Sequence, residues 1–276
     1  MSGDVIRPHF SDFRRRFSGG QHVVGSFIKT PTTHATEIFG ALGYDFVVID
    51  EEHAPFDRAM TDVVLLAARA SNVAGIVRVS SDDPAKILSV LDCGAAGVLV
   101  PHVASVEKAQ AVAAAARYRG GKRGYSGSPR AGGYGATPMW DLVAEQDSSV
   151  CAIAMIEDPE ALDQIDAIAA VDGIHGLFIG RGDLTVALGA KSSSNPKVQQ
   201  AVKQIIAAAN KAHKPVCVMV AGAAEAKDFA DLGASAFIIS SDQSQMRRAA
   251  AQTLTDFKKL THTPEAPQEA AHVSQH

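Results

Sequence analysis

Asp45-Phe46-Val47-Val48-Ile49-Asp50-Glu51-Glu52-His53-Ala54-Pro55 is the stretch on which the reading of this chain turns. Phe46 to Ile49 are aromatic or β-branched and read as a buried strand. The run then stops in Asp50, Glu51, Glu52 and His53. Four titratable groups at the end of an apolar strand are costly if buried without partners. They form either a solvated acidic turn or a polar constellation that a rigid strand delivers to the mouth of a fold. What else converges there decides between the two.

Outward from this stretch the same unit recurs. Strand-like runs fall at His22–Lys29, Asp45–Asp50, Gly75–Val79, Gly97–His102, Val150–Glu157, Ile174–Gly180, Pro215–Val220 and Ala236–Ser241. Between them lie Ala-rich segments with helical spacing: Asp57–Ala70, Pro84–Cys93, Val106–Arg117, Pro159–Ala169 and Pro196–Ala212. A last one, Gln243–Leu260, follows the eighth strand. Asp82-Asp83 before Pro84, and Asp158 before Pro159, read as N-caps followed by a first-turn proline. Gly43, Gly94 and Gly233 read as helix stops. Strands alternating with helices point to an α/β protein, a closed (β/α)8 TIM barrel. A doubly wound open sheet is disfavoured because no strand leads into a Gly-x-Gly-x-x-Gly turn. We read residues 1–20 as a helical lead-in, 21–260 as one barrel domain and 261–276 as a Pro-, Ala-, Gln- and His-rich disordered tail.

Length and composition agree. The chain has 276 residues, 46% of them hydrophobic, and a formal net charge of −4. This allows a large single core and provides no basic field for nucleic acid. Met1 to Phe10 lack a signal-peptide core, and no apolar run is long enough to span a membrane. Cys93, Cys151 and Cys217 lack zinc spacing and read as thiols of a protein in a reducing cytoplasm.

Active sites of such barrels lie at the C-terminal strand ends. Lys29, Asp50 to His53, Arg78, His102, Glu157, Arg181-Gly182-Asp183 and Ser240-Ser241-Asp242 are the polar residues found there. Glu157 and Asp183, one βα unit apart, are either a pair of oxygen ligands for Mg²⁺ or Mn²⁺ or two helix caps. Arg78 sits within an apolar strand and needs an anion, from a substrate carboxylate or a structural partner. His53 is suited to act as a base near neutral pH, and otherwise to a turn. Asp92 lies on the third helix, read as near the top of strand 4. Lys29 could form a Schiff base if desolvated; a solvated lysine is the plainer reading. His102 reads first as a turn residue. The Gly-rich insert Arg117–Trp140 carries Arg117, Arg119, Lys122, Arg123 and Arg130. It reads as a loop that closes over an anion, docks on a neighbouring subunit, or moves freely in solvent.

Together, Asp50-Glu51-Glu52-His53-Ala54-Pro55, Arg78, Leu91-Asp92-Cys93-Gly94-Ala95, Val100-Pro101, Arg123-Gly124, Glu157 and Gly180-Arg181-Gly182-Asp183-Leu184 resemble a known family. This is the HpcH/HpaI family of metal-dependent pyruvate aldolases, typified by 4-hydroxy-2-oxoheptanedioate and 2-dehydro-3-deoxyglucarate aldolases. The resemblance runs from about Val24 to Arg248. It implies class II cleavage of a 4-hydroxy-2-oxoacid to pyruvate and an aldehyde. It also implies Glu157 and Asp183 as ligands of Mg²⁺ or Mn²⁺, with Co²⁺ admitted. By the same resemblance Arg78 stabilises the enolate, His53 is the base with Asp92 raising its basicity, and Gly182 and Asp183 hold the substrate carboxylate. Asp50 and Glu52 would order water and position the loop. It further implies a homohexamer, a trimer of dimers whose last helix packs on a neighbour. The chain departs from the pattern at Met155 (usually glutamine, a substrate contact), Arg181 (proline), Phe27 (tryptophan) and Lys29 (a small residue). Decarboxylation of oxaloacetate or another β-keto acid, citramalyl- or malyl-CoA lysis, and a non-catalytic 2-oxoacid-binding barrel are the alternatives.

Overall fold

The structure, a computed structural model, describes residues 8–261; the tail read at 261–276 lies outside them apart from Thr261, which ends the last helix, and so do the first seven residues of the lead-in. Eight strands, β1 (Val23–Ile28), β2 (Phe46–Asp50), β3 (Ala74–Arg78), β4 (Gly97–Val100), β5 (Cys151–Ile156), β6 (Gly176–Ile179), β7 (Val216–Val220) and β8 (Ala236–Ser241), form a closed barrel in chain order. Each strand is parallel to its neighbours, and β1 closes on β8. The closure has a register shift between Gly25 and Phe27. Beside it Ser240 sits in the left-handed region at φ 61°. The expected α/β barrel is therefore the observed fold. The observed strands lose Lys29, His102, Glu157 and Gly180 from the expected ends. These residues leave the ladder just where they enter the mouth.

Helices α1 (Phe13–Ser18), α2 (Thr33–Leu42), α3 (Arg58–Ala70), α4 (Pro84–Asp92), α5 (Val106–Ala116), α6 (Met139–Ser149), α7 (Ile165–Ala169), α8 (Arg181–Ala187), α9 (Pro196–Lys211), α10 (Ala223–Asp231) and α11 (Asp242–Thr261) surround the strands. Side-chain oxygens of Thr32, Asp57, Asp83, Ser105 and Asn195 accept main-chain N–H groups in the first turns they precede. Such caps satisfy donors that a helix leaves open. Pro159 starts a 3-10 turn (Pro159–Gln164) that runs into the short α7, not one continuous helix.

The core has an inner and an outer shell. Inside the barrel Phe27, Val48, Ile76, Leu99, Ile153 and Phe178 pack together, and Phe13 and Phe17 of α1 join them. Both α1 rings are at most 2% exposed. Period-2 alternation sends the other set of strand residues, such as Val47, Val77 and Val98, outward under the helices. Among the described residues no helix is long and apolar enough to cross a membrane. The described side chains of α11 from Met246 onward are exposed, including Met246, Leu254, Phe257 and Leu260.

His175, just before β6, accepts the Ala152 N–H at 3.0 Å through Nδ1. Burial, then the charges of Arg14 and Lys214, lower its pKa to about 3. An unfolded chain takes up this proton near the usual histidine value, whereas the folded chain resists it down to about 3. Folding stability is therefore expected to fall as pH drops from about 6.5 toward 3. His175→Asn should flatten that part of the Tm-against-pH curve, measured by thermal unfolding.

Candidate active site

β2 and β3 run side by side with Asp50 in register with Arg78. The Arg78 guanidinium donates from Nε to Asp50 Oδ1 at 2.9 Å and from the second nitrogen to Oδ2 at 2.7 Å. Asp50 is fully buried and Arg78 is 5% exposed. Such a forked pair fixes the guanidinium plane. Asp50 also accepts the main-chain N–H groups of Glu52 and His53, which turns the chain after β2 back across the mouth. Burial pushes the Asp50 carboxyl up, but Arg78, the His53 amide and Lys29 outweigh it, so its pKa lies below the usual value. Arg78 also pairs with Glu52 Oε2 at 3.2 Å and stacks over the Phe27 ring at 4.8 Å.

The opening quartet thus divides its work. Asp50 anchors Arg78. Glu52 stands between Arg78, His53 (3.6 Å) and His102 (4.0 Å). The exposed His53 ring lines the mouth cavity, whose volume is about 1010 Å³. Glu51 points elsewhere: it accepts from the Thr61 hydroxyl at 2.7 Å, tying the loop to α3. Burial raises its pKa above the usual carboxylate value.

On the facing strands, Glu157 follows β5 and is 2% exposed. Its Oε1 accepts the His102 N–H at 2.8 Å. Burial is the largest influence on it; Asp183 and Glu52 add to this, and its pKa rises to about 7 despite opposition from His102. A Cβ at Gly180 would come within 2.5 Å of Glu157 Cβ and 2.7 Å of Oε2. The glycine thus lets β6 approach the carboxylate. Asp183, in the first turn of α8, is exposed and lines the cavity. Neither acid acts as an N-cap: Gly180 holds that place for α8, and Asp158 for the 3-10 turn.

Two neighbouring carboxylates, one raised by burial and by the other's charge, fit a hard divalent cation that takes oxygen ligands. Among the described residues no group of three or more His, Cys, Asp or Glu side chains forms a ready-made metal cage. A cation held here would therefore take its remaining ligands from substrate and water.

Several expected roles look different in three dimensions. Lys29 lies at the mouth, but its Nζ pairs with Asp50 Oδ2 at 3.1 Å. A Schiff base there would have to break that pair. Its backbone and that of Thr30 donate to the two oxygens of Asp242, a residue whose role was not legible earlier. Met155 is buried beneath the cavity, as its strand position implies. Arg181 donates to Glu225 at 2.6 Å and to the Met219 carbonyl, and stacks over Phe229 at 4.8 Å. The residue that replaces a family proline therefore ties the start of α8 to β7 and α10.

Asp92 is not near the top of β4. It ends α4, at the turn that leads into the start of β4, because a crossover helix runs back against the strands. Its carboxylate faces Arg123 at 3.6 Å, and among the described residues no hydrogen bond or ion pair joins it to His53. Burial raises its pKa against the pull of Arg123 and Arg58. The basic insert is also tied down. Arg117 pairs with Asp172, Arg130 with Asp62, and the buried Arg123 with Asp92, Gln146 and the Tyr118 ring.

His102 is the residue that sequence reasoning undervalued. It is a turn residue at φ 53°, but its ring also faces Asp158 (3.1 Å), Glu157 (3.5 Å) and Glu52 (4.0 Å). The signal available was its place two residues past the end of β4, close to the level of Glu157 after β5.

Removing one side of the Asp50–Arg78 pair should be severe. Asp50→Ala leaves a guanidinium buried with only Glu52 in reach, and is expected to cost about 3–5 kcal/mol in chemical denaturation.

The chain is similar to several named proteins over most of its length. The family model described as HpcH/HpaI aldolase/citrate lyase matches residues 24–249. The 5-keto-4-deoxy-D-glucarate aldolase of Klebsiella pneumoniae subsp. pneumoniae is 34% identical over 249 residues, covering 90% of this chain and 96% of that protein. Its counterpart in Enterobacter sp. (strain 638) is 33% identical over 261 residues, covering 94% and 100%. Among solved structures, citrate synthase SbnG has a TM-score of 0.82 at 30% identity, covering 90% and 98% of the two chains. An HpcH/HpaI aldolase/citrate lyase family protein from Burkholderia cenocepacia J2315 has a TM-score of 0.85 at 27% identity, covering 90% and 99%. With its closed barrel and the match across most of its length, this chain is a carbon–carbon lyase of the HpcH/HpaI aldolase/citrate lyase family.

Proposed function

We propose that this protein is a class II pyruvate aldolase that cleaves a 4-hydroxy-2-oxoacid to pyruvate and an aldehyde. One observation carries the reading: a buried carboxylate, Glu157, feels the charge of Asp183, which lines one cavity together with an Asp50-anchored Arg78 and an exposed His53. Glu157 and Asp183 would hold Mg²⁺, Mn²⁺ or Co²⁺, which supplies Lewis-acid polarisation of the substrate keto oxygen when bound. Arg78 places a fixed positive charge where the enolate oxygen develops. His53 removes the proton of the 4-hydroxyl. The C3–C4 bond then breaks, its electron pair passes into the pyruvate enolate, and the aldehyde departs. Protonation at C3 completes pyruvate. Main-chain N–H groups of Gly182 and Asp183, in the first turn of α8, suit the substrate carboxylate.

Glu52 and Asp50 keep His53 and Arg78 in place in this reading. The pairing of Asp92 with His53 rests on the family resemblance alone. Met155 offers the substrate a thioether in place of an amide. The names of the relatives suggest a sugar-acid-derived substrate, and Lys29, Thr185, Ser241 and Arg248 on the cavity wall suit a hydroxylated, acidic aldehyde. The exposed apolar side chains of α11 support packing against a second copy, in a homo-oligomer whose hexameric state the resemblance implies.

The test is a retro-aldol and pyruvate methyl-exchange assay with Mn²⁺ or Mg²⁺ across a panel of aldehydes. EDTA should abolish turnover and the metal should restore it. Glu157→Gln should lose both reactions, and His53→Ala should slow cleavage by about 10²–10⁴-fold. EDTA-resistant turnover with borohydride trapping on Lys29 would overturn the metal reading. Oxaloacetate decarboxylation or acyl-CoA lysis without aldol cleavage would select those alternatives, and no enolate chemistry at all would favour a 2-oxoacid-binding barrel.

A further inference from the structure

At the opposite end of the barrel, where β6 and β7 begin, lies a cavity of about 340 Å³. Arg14, Arg15, His175, His213 and Lys214 line it, with the hydroxyls of Ser18 and Ser148. No carboxylate is among its lining residues. Three chain segments far apart in sequence supply the basic groups: α1, the residue before β6, and the turn from α9 into β7.

The ends of α1, α6 and α9 meet here, and helix C-termini attract cations. That accounts for part of the arrangement. The Arg14 guanidinium donates to the Asp147 carbonyl, and Lys214 Nζ donates to the Ile174 carbonyl at 2.5 Å. A guanidinium has five N–H donors and an ammonium three, so one carbonyl apiece leaves most of them available. Among the described residues neither Arg14 nor Lys214 has an ion pair with a carboxylate. Both are half-buried.

The nearest acids are engaged elsewhere. Asp172 pairs with Arg117. Asp147 accepts the main-chain N–H groups of Tyr118 and Arg119 at 2.8 and 3.0 Å. Arg15 is held more loosely, by Asp12 on the exposed face of α1. His175 contributes a directed donor: because Nδ1 accepts from Ala152, the proton of the neutral ring is on Nε2. Burial is the first cause that lowers the pKa values of Arg14 and Lys214; the charge of Asp172 opposes it at both, and repulsion by Arg14 lowers that of Lys214 further. A bound anion would relieve that repulsion.

We infer that this basic cavity is a binding site for a small oxyanion of the phosphate class, held by Arg14, Lys214 and His175, with Arg15, Ser18 and Ser148 at its rim. The ligand is either free phosphate or the phosphoryl group of a small metabolite. The site is separate from the mouth and does not depend on the aldolase reading.

The experiment is thermal unfolding and isothermal titration of the full chain at pH 7 with inorganic phosphate, against sodium chloride at matched ionic strength. Phosphate in tenfold excess over its Kd should raise Tm by about 2–5 °C, saturably. Arg14→Gln and Lys214→Gln should each weaken binding by about tenfold, while Lys214→Arg retains it. Glycerol 3-phosphate distinguishes the sources: tighter binding than phosphate identifies a phosphoryl metabolite, and equal or weaker binding identifies the free ion. No stabilisation beyond that of chloride, or full binding in both glutamine variants, would overturn the site.

Discussion

The mouth of this barrel depends on a buried carboxylate gripping a buried guanidinium. Arg78 cannot lose its charge, and the barrel interior below it is lined with Phe27, Ile76 and Phe178. Only a close anion makes such a position tolerable. Asp50 provides it through two hydrogen bonds across adjacent strands, then uses its remaining capacity on the amides of Glu52 and His53. One carboxylate therefore solves the burial problem, orients the cation and folds back the loop that carries His53. Lys29 adds a third positive contact to the same carboxylate.

Across the mouth the balance is reversed. Glu157 is buried, has acidic neighbours, and accepts a hydrogen bond from the His102 amide. Burial raises its proton affinity, so the pocket favours a positive charge close by. The Asp50–Arg78 pair at the ends of β2 and β3 and the Glu157 and Asp183 carboxylates after β5 and β6 thus lie at one mouth. Gly180 lets β6 come close to Glu157, and Arg181 anchors the start of α8 to β7 and α10.

The opposite end of the barrel has its own electrostatic character. There Phe13 and Phe17 pack into the interior, and the same short helix contributes Arg14 to the basic cavity. Closing the barrel from below and gathering positive charge are therefore properties of one segment.

Much of this was legible in the chain alone. Runs of β-branched residues at period two, separated by capped helical segments, specified eight βα units, because local propensity and burial pattern act over a few residues. Polar residues ending apolar strands marked Asp50, Arg78, Glu157 and Asp183 as mouth groups. What only the tertiary structure decided was the pairing. Glu51 turns to Thr61, Arg181 to Glu225, Asp92 to Arg123, and His102 to a carboxylate 55 residues away. The basic cavity likewise joins residue 14 to residues 175 and 214. Local spacing cannot encode such contacts. They arise when strand order and register bring distant residues to one level, and the cost of an unpaired buried charge then selects the partner within reach.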